Sequence, residues 1–245
     1  MHQPDEFALT ETGYRGPPPS WDPGSPALWI VDAQREGERA QRLAPGLLDA
    51  EELGRAGSLV VEADRLCFIA SHVALRMLLG ARLGIAPDAV RLTREPCPSC
   101  GGPHGRPATG GGVHFSLSHT RGVALLAFAD EPVGVDVERT PKARTVSEIG
   151  DQLHPAERRE LAELPEEQRP AAFLRAWTRK EAYLKGKGIG LAGGLAHDHM
   201  GTGPRPEPGP PGWTVTDVAV PAGYAAAVAV RTAGRPPAHD DDRRK

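Results

Sequence analysis

Apolar residues fall into two kinds of pattern along this chain. Over residues 62–83, Leu66, Ile69, Val73, Met77 and Leu78 recur near the 3.6-residue period, which predicts one long helix. Gly84 stands where a left-handed residue closes such a helix. A second helical pattern spans residues 168–187. A third begins after His154, with Pro155 at a first helical position. Residues 45–54 read as a helix start with an acidic first turn. Short β-rich runs predict strands over residues 27–31, 90–92, 113–118, 123–129, 133–138, 213–218 and 224–230. Arg121-Gly122 supplies the turn of a hairpin between the third and fourth runs.

Each half therefore has a long helix followed by short antiparallel strands. The expected class is α+β, as two similar lobes related by a pseudo-twofold and split near residues 130–132. The lobes take residues 27–131 and 132–232. The Pro-rich segment 1–26 and the polar tail 233–245 are expected to lack order.

Composition narrows the function classes. A net charge of only −3 argues against a dedicated nucleic-acid binder. No apolar run reaches the ~20 residues of a spanning helix. The N-terminus has neither the basic nor the apolar region of a secretory signal. Three cysteines, Cys67, Cys97 and Cys100, cannot all pair, so a reduced, cytoplasmic protein is expected.

The densest chemistry lies in Val133-Gly134-Val135-Asp136-Val137-Glu138. On a strand the three valines share one face, while Asp136 and Glu138 share the other. Two readings stand. The polar face is solvated, or the two carboxylates, which repel each other, share a divalent cation such as Mg²⁺. On the second long helix, Phe173, Trp177 and Glu181 stack at four-residue spacing, and Lys185 continues the stripe with Lys180 adjacent. An aromatic stripe that runs into a carboxylate and a lysine is unusual for a merely solvated face. Glu181 could serve as a third ligand or a base, and Lys180 and Lys185 could neutralise phosphate.

Three further segments are weaker alone. Gly186, Gly188 and Gly190 alternate in a helix cap and loop that lacks Walker spacing. Ser118-His119 ends a strand beside a turn. Cys97-Pro-Ser-Cys100, with His104 nearby, is half of a zinc knuckle. His114 is the remaining candidate for a fourth ligand, nothing favours it, and no zinc requirement is expected.

Together these segments resemble the 4′-phosphopantetheinyl transferases, in the longer single-chain class that activates peptide and polyketide synthases (Sfp type). The family pattern is Gly-x-Asp-x-Glu, here Gly134–Glu138, then Trp-x-x-Lys-Glu-Ala, here Trp177–Ala182. Upstream elements match at Gly105-Arg106-Pro107 and at Phe115–His119. The resemblance covers residues 60–230. It implies a ligand site between the two lobes. It implies transfer of 4′-phosphopantetheine from coenzyme A to a serine of an apo acyl or peptidyl carrier protein, with Mg²⁺ held by Asp136, Glu138 and Glu181. Glu181, or a water held by these carboxylates, would take the serine proton. Lys180 and Lys185 would meet phosphate or support the carboxylates. Ser118 and His119 would meet the nucleotide phosphates, and Gly105, Arg106 and Pro107 would lie along the adenine. A monomer is expected, since both lobes lie in one chain, with no nucleic-acid or membrane partner.

The chain departs from the pattern in two places. Arg106 stands where the family often has Lys. Cys67, flanked by Arg65 and Arg76, stands where a basic residue usually meets the 3′-phosphate. Two rival functions use the same residues: a metal-dependent phosphohydrolase acting on a coenzyme-A-like diphosphate, and a non-catalytic module that binds coenzyme A or a carrier. The upstream adenine-side elements weigh against the first, and the intact carboxylates against the second.

Overall fold

A computed structural model describes residues 1–190 and 194–232. The tail expected over 233–245 lies outside the described residues. Strand β1 (Asp5–Glu6) runs parallel to β2 (Ala27–Asp32), and β2 hands directly into helix α1 (Ala33–Leu43) through Asp32, whose carboxylate accepts from the amides of Gln34 and Arg35. Helix α2 (Ala50–Ser58) opens on a reciprocal cap between Asp49 and Glu52. Helix α3 (Glu62–Leu83) has the predicted bounds and ends on Gly84 at φ +68°. The two-residue strands β3 (Thr93–Arg94) and β4 (Pro107–Ala108) form a small ribbon. Strands β5 (His114–Thr120) and β6 (Val123–Ala129) form the predicted hairpin, and β6 pairs with β2 to complete a four-stranded sheet in the order β1-β2-β6-β5.

The second half repeats the use of a long helix on a small sheet. Strand β7 (Val133–Arg139) leads to helices α4 (Ala143–Ile149), α5 (Pro155–Glu163) and α6 (Arg169–Lys187). Strands β8 (Trp213–Val218) and β9 (Tyr224–Arg231) follow, and the sheet order is β7-β9-β8, all antiparallel. Helix α6 packs on β7 and β9.

Strand β6 is buried on both faces, which explains its continuous apolar sequence. Ala124, Leu126 and Phe128 face the helices of the first half. Val123, Leu125, Ala127 and Ala129 join Val133, Val135, Val137 and Val228 in a core shared between the two sheets. β5 and β7 meet through side chains: the Val135 amide donates to Ser116 Oγ at 3.1 Å, and the Val137 amide to Ser118 Oγ at 3.3 Å. Two serines thus satisfy amides on the edge of β7 that β9 leaves open.

Four features differ from the sequence reading. Residues 1–26 are not without order: Phe7 and Leu9 are buried, Phe7 stacks on Tyr14, and the Leu9 amide donates to buried Glu36 at 3.0 Å. Their apolar side chains were masked by the prolines around them. The strand expected over 90–92 is displaced to β3, while Val90 is buried. The helix expected from residue 45 begins instead at Ala50, because Asp49 is the residue that caps. Helix α1 escapes an apolar-period search because its contact face is small: a Cβ on Gly37 would lie 3.1 Å from Leu66 Cβ. Helix α3 is also the one helix among the described residues long and apolar enough to cross a membrane, but it is the buried core helix of the first half.

Candidate functional site

Two glycines decide where the site forms. A Cβ on Gly134 would stand 2.1 Å from the Ala182 carbonyl and 2.3 Å from the Gly186 amide, and one on Gly186 would meet the Trp213 ring at 2.6 Å. Strand β7 and helix α6 therefore touch backbone to backbone, which no larger residue allows. This contact sets Asp136 and Glu138 of β7 beside Glu181 and Lys185 of α6.

Asp136 is not on a solvated face; it is 1% exposed. Its Oδ1 accepts from Ser118 Oγ at 2.8 Å and from Lys185 Nζ at 2.6 Å. Lys185 Nζ also donates to Ser118 Oγ at 3.0 Å, so the strand end of the first half and the helix of the second close on one carboxylate oxygen. The other oxygen, Oδ2, is buried with no partner among the described residues. An orphaned anionic oxygen in the interior is costly unless something cationic meets it. Burial, followed by the charge of Asp136, raises Glu138 above the ordinary carboxylate range. Burial and then Asp136 push Glu181 up to about 7, against the opposing pull of Lys185. One lysine does not balance three crowded carboxylates.

That donor set fits Mg²⁺: hard oxygens, excess negative charge and an unused buried acceptor. The three carboxylates are not drawn into a closed cage; among the described residues, the ligand atoms gathered within 4.8 Å of one another belong to Cys97, Cys100 and His104. Mg²⁺ sites are seldom closed, since that ion keeps waters and takes substrate phosphate oxygens.

The sequence reading of Lys180 needs correction. Helix geometry turns it away from the stripe of Glu181 and Lys185. Its ammonium pairs with Glu157 Oε2 at 2.9 Å and donates to the carbonyl of Asp198, with both charged side chains buried. Its neighbour Arg179 makes a bidentate pair with Asp217 at 2.7 and 2.7 Å and donates to the carbonyl of Gly201 at 2.7 Å. These cations pin the irregular stretch after α6, including the Met200 amide that donates to Glu157 at 2.8 Å. The sequence pattern gave no sign of Glu157 or Asp217, because both lie far from Lys180 and Arg179 along the chain.

Cys67, which stands where the family usually has a basic residue, and its neighbour Arg76 are both engaged within the fold. Cys67 is in the core, its thiol donating to the Thr120 carbonyl at 3.1 Å, and burial pushes that thiol up to about 11. Arg76 is 2% exposed, and its guanidinium is held by Glu52 at 2.6 Å and Asp49 at 2.7 Å. Neither can meet a phosphate without breaking these contacts.

A cleft of about 1120 Å³ opens between the halves. His72, Arg94, Ser118, His119 and the loop His104–Pro107 line it from the first half, and Glu138, Lys185 and Gly188 from the second. Asp136 is not part of this lining but is joined to it through Ser118 and Lys185. His119 edges onto Phe68; burial, then the charges of His72 and Lys185, hold its imidazole below the ordinary range. Arg106 is braced by Glu95 at 2.6 Å and donates to the Gly186 carbonyl at 3.0 Å, and a Cβ on Gly188 would strike its side chain. Gly105 is required there, since its Cβ would lie 2.4 Å from the Glu95 carbonyl. Glu95, which orients Arg106, had no signal in the sequence. Leu191, at the end of the glycine loop, lies outside the described residues.

Comparison with known proteins places these features in context. Residues 132–210 match the family model of the 4'-phosphopantetheinyl transferase superfamily. The chain is 33% identical over 172 residues to the 4'-phosphopantetheinyl transferase HetI of Nostoc sp. strain PCC 7120, spanning 67% of this chain and 69% of that protein. It is 35% identical over 136 residues to the transferase AcpT of Salmonella typhimurium, covering 54% of this chain and 65% of AcpT. It is 28% identical over 80 residues to the transferase Sfp of Bacillus subtilis, covering 33% and 35% of the two chains.

Proposed function

The chain belongs to the 4'-phosphopantetheinyl transferase superfamily, and from that premise we propose that it transfers the 4′-phosphopantetheine arm of coenzyme A to a serine of an apo acyl or peptidyl carrier protein, releasing adenosine 3′,5′-bisphosphate. The observation that carries the site is Asp136: one oxygen held by Ser118 and Lys185, the other buried with no partner among the described residues, and two more carboxylates raised by its charge. We place the chain in the longer single-chain, Sfp-type class, with lobes over residues 27–131 and 132–232 and the ligand in the cleft between them. Each half also has an apolar cluster of its own, around α3 in the first and around α6 in the second, which supports that division.

Asp136, Glu138 and Glu181 would hold Mg²⁺, which when bound neutralises their charge and polarises the diphosphate oxygens. The remaining work belongs to the chain. Lys185 faces the same place and offsets charge on the diphosphate as it builds. Ser118 positions Asp136 and, with His119, forms the wall that meets the nucleotide phosphates. Gly105, Arg106 and Pro107 make the adenine side, where Arg106 is pre-set by Glu95. Glu181, or a water it orients, takes the proton of the carrier serine. The serine oxygen then bonds to the β-phosphorus, and the bond to the bridging oxygen breaks, leaving that oxygen on adenosine 3′,5′-bisphosphate. Lys180 acts at a distance, by holding the loop beside α6 through Glu157. Positioning and fixed charge supply most of such catalysis.

The test is incubation of the full chain with coenzyme A, Mg²⁺ and a panel of apo carrier proteins, followed by intact mass. A carrier heavier by one phosphopantetheine is the expected product. Cleavage of coenzyme A without a carrier would instead establish the hydrolase, and tight coenzyme A binding with no turnover across the panel would establish the binding module.

A further inference from the structure

The loop that carries Arg106 begins with a motif the transfer reaction does not use. Cys97, Pro98, Ser99 and Cys100 form a tight turn: the Gly101 amide donates to the Cys97 carbonyl at 2.8 Å, and the Cys97 amide to the Gly102 carbonyl at 2.7 Å. Gly101 sits at φ +72°, a conformation that favours glycine. The chain then folds back, so that His104 Nε2 lies 3.0 Å from Cys100 Sγ. Gly102 makes room for this, because a Cβ there would press on His104 and Cys100 at 3.0 and 3.4 Å.

We propose that Cys97, Cys100 and His104 bind one Zn²⁺, with water as the fourth ligand, and that this ion clips the loop presenting Arg106 to the cleft. The two sulfurs and the imidazole nitrogen lie within 4.8 Å of one another. A tetrahedral zinc with ordinary bond lengths needs sulfur and nitrogen about 3.6 Å apart, so a shift of roughly half an ångström in one exposed side chain completes the site. Two thiolates balance the charge of the ion, and soft sulfur with imidazole selects zinc over the hard cation suited to the carboxylates. The sequence argues against a metal here because a fourth protein ligand is missing. In the structure Cys100 and His104 are exposed, so solvent can take that position. The inner half of the loop is already set: Cys97 is buried, and Gly105 and Glu95 pair backbone to backbone at 3.0 Å. Metal ligation couples directly to the order of such a segment.

The test uses the full chain, reduced, stripped of metal by chelator and titrated with Co²⁺ alone. One equivalent per chain is expected, with thiolate-to-cobalt charge-transfer absorption that Zn²⁺ abolishes by displacement and that millimolar Mg²⁺ leaves intact. His104→Ala and Cys100→Ser alter exposed residues, so circular dichroism should show both folded while the cobalt absorption is lost. Absence of that absorption from the reduced wild-type chain would overturn the proposal. So would unchanged cobalt stoichiometry in the two folded variants, or isolation of the chain with a Cys97–Cys100 disulfide that binds no cobalt after reduction. The readout is metal stoichiometry, so it stands apart from whether the chain transfers phosphopantetheine.

Discussion

Lys180 and Lys185 differ by five residues, yet they answer to different physics. Lys185 is one-third exposed and touches Asp136 and Ser118. Lys185→Ala should lower the transfer rate by roughly 10²–10³, as removal of other charge-stabilising donors does, with some loss of stability because Asp136 loses its cation. Lys185→Arg should restore only part, since a planar fork replaces a compact charge. Steady-state kinetics at saturating carrier reads both, and a Lys185→Ala rate within about threefold of wild type would return the residue to a structural role. Lys180→Ala should do the reverse first: it strands the Glu157 carboxylate in the interior, at a cost of about 3–5 kcal/mol in chemical denaturation. Cys67 offers a pH signature. Its thiol ionises near 9 when unfolded and about 11 when folded. The folded state therefore keeps a proton that the unfolded state gives up, and stability present below pH 9 is lost as pH rises through 11. Denaturation midpoints between pH 8 and 11 should fall more steeply for wild type than for Cys67→Ala.

At the scale of elements, the contact of β7 with α6 is the most exacting. Gly134→Ala forces a methyl into the Ala182 carbonyl and Gly186 amide, so overpacking should cost about 3 kcal/mol and push the strand off the helix. Activity should fall with it even though no site residue changes; a variant with normal melting and normal turnover would show that the two elements tolerate separation. The same contrast explains what the sequence discloses. α3, α6 and the β5–β6 hairpin carry apolar residues at a clean period, so their bounds are readable. α1 buries Ala33, Gly37 and Ala40, which write no apolar stripe, and β1 is only two residues long. Asp136, Glu138, Glu181 and Lys185 were legible because strand and helix periods order them along a face. Lys180 was misread because adjacency along a helix means a turn of roughly 100°, not a shared direction. Glu157, Asp217 and Glu95 were invisible because only tertiary folding brings them to Lys180, Arg179 and Arg106.

At the scale of the molecule, the N-terminal residues belong to the fold. Phe7 is wholly buried and Leu9 nearly so, against the same core as Trp29 and Phe128. Removal of residues 1–9 should destabilise the chain by about 3–5 kcal/mol, from two large apolar side chains and the Leu9 amide that satisfies Glu36. A truncated chain that melts with the full-length one would contradict this.

The Ser118 hydroxyl has a double employment. It accepts the Val137 amide across the join of the two sheets, and it holds the carboxylate on which the proposed chemistry rests. A seam and a site that share one oxygen are coupled, so an opening that parts the halves at Ser118 also releases the carboxylate of the site. Heat inactivation and the loss of tertiary signal should therefore trace a single curve, with no warm, folded and inactive state between them.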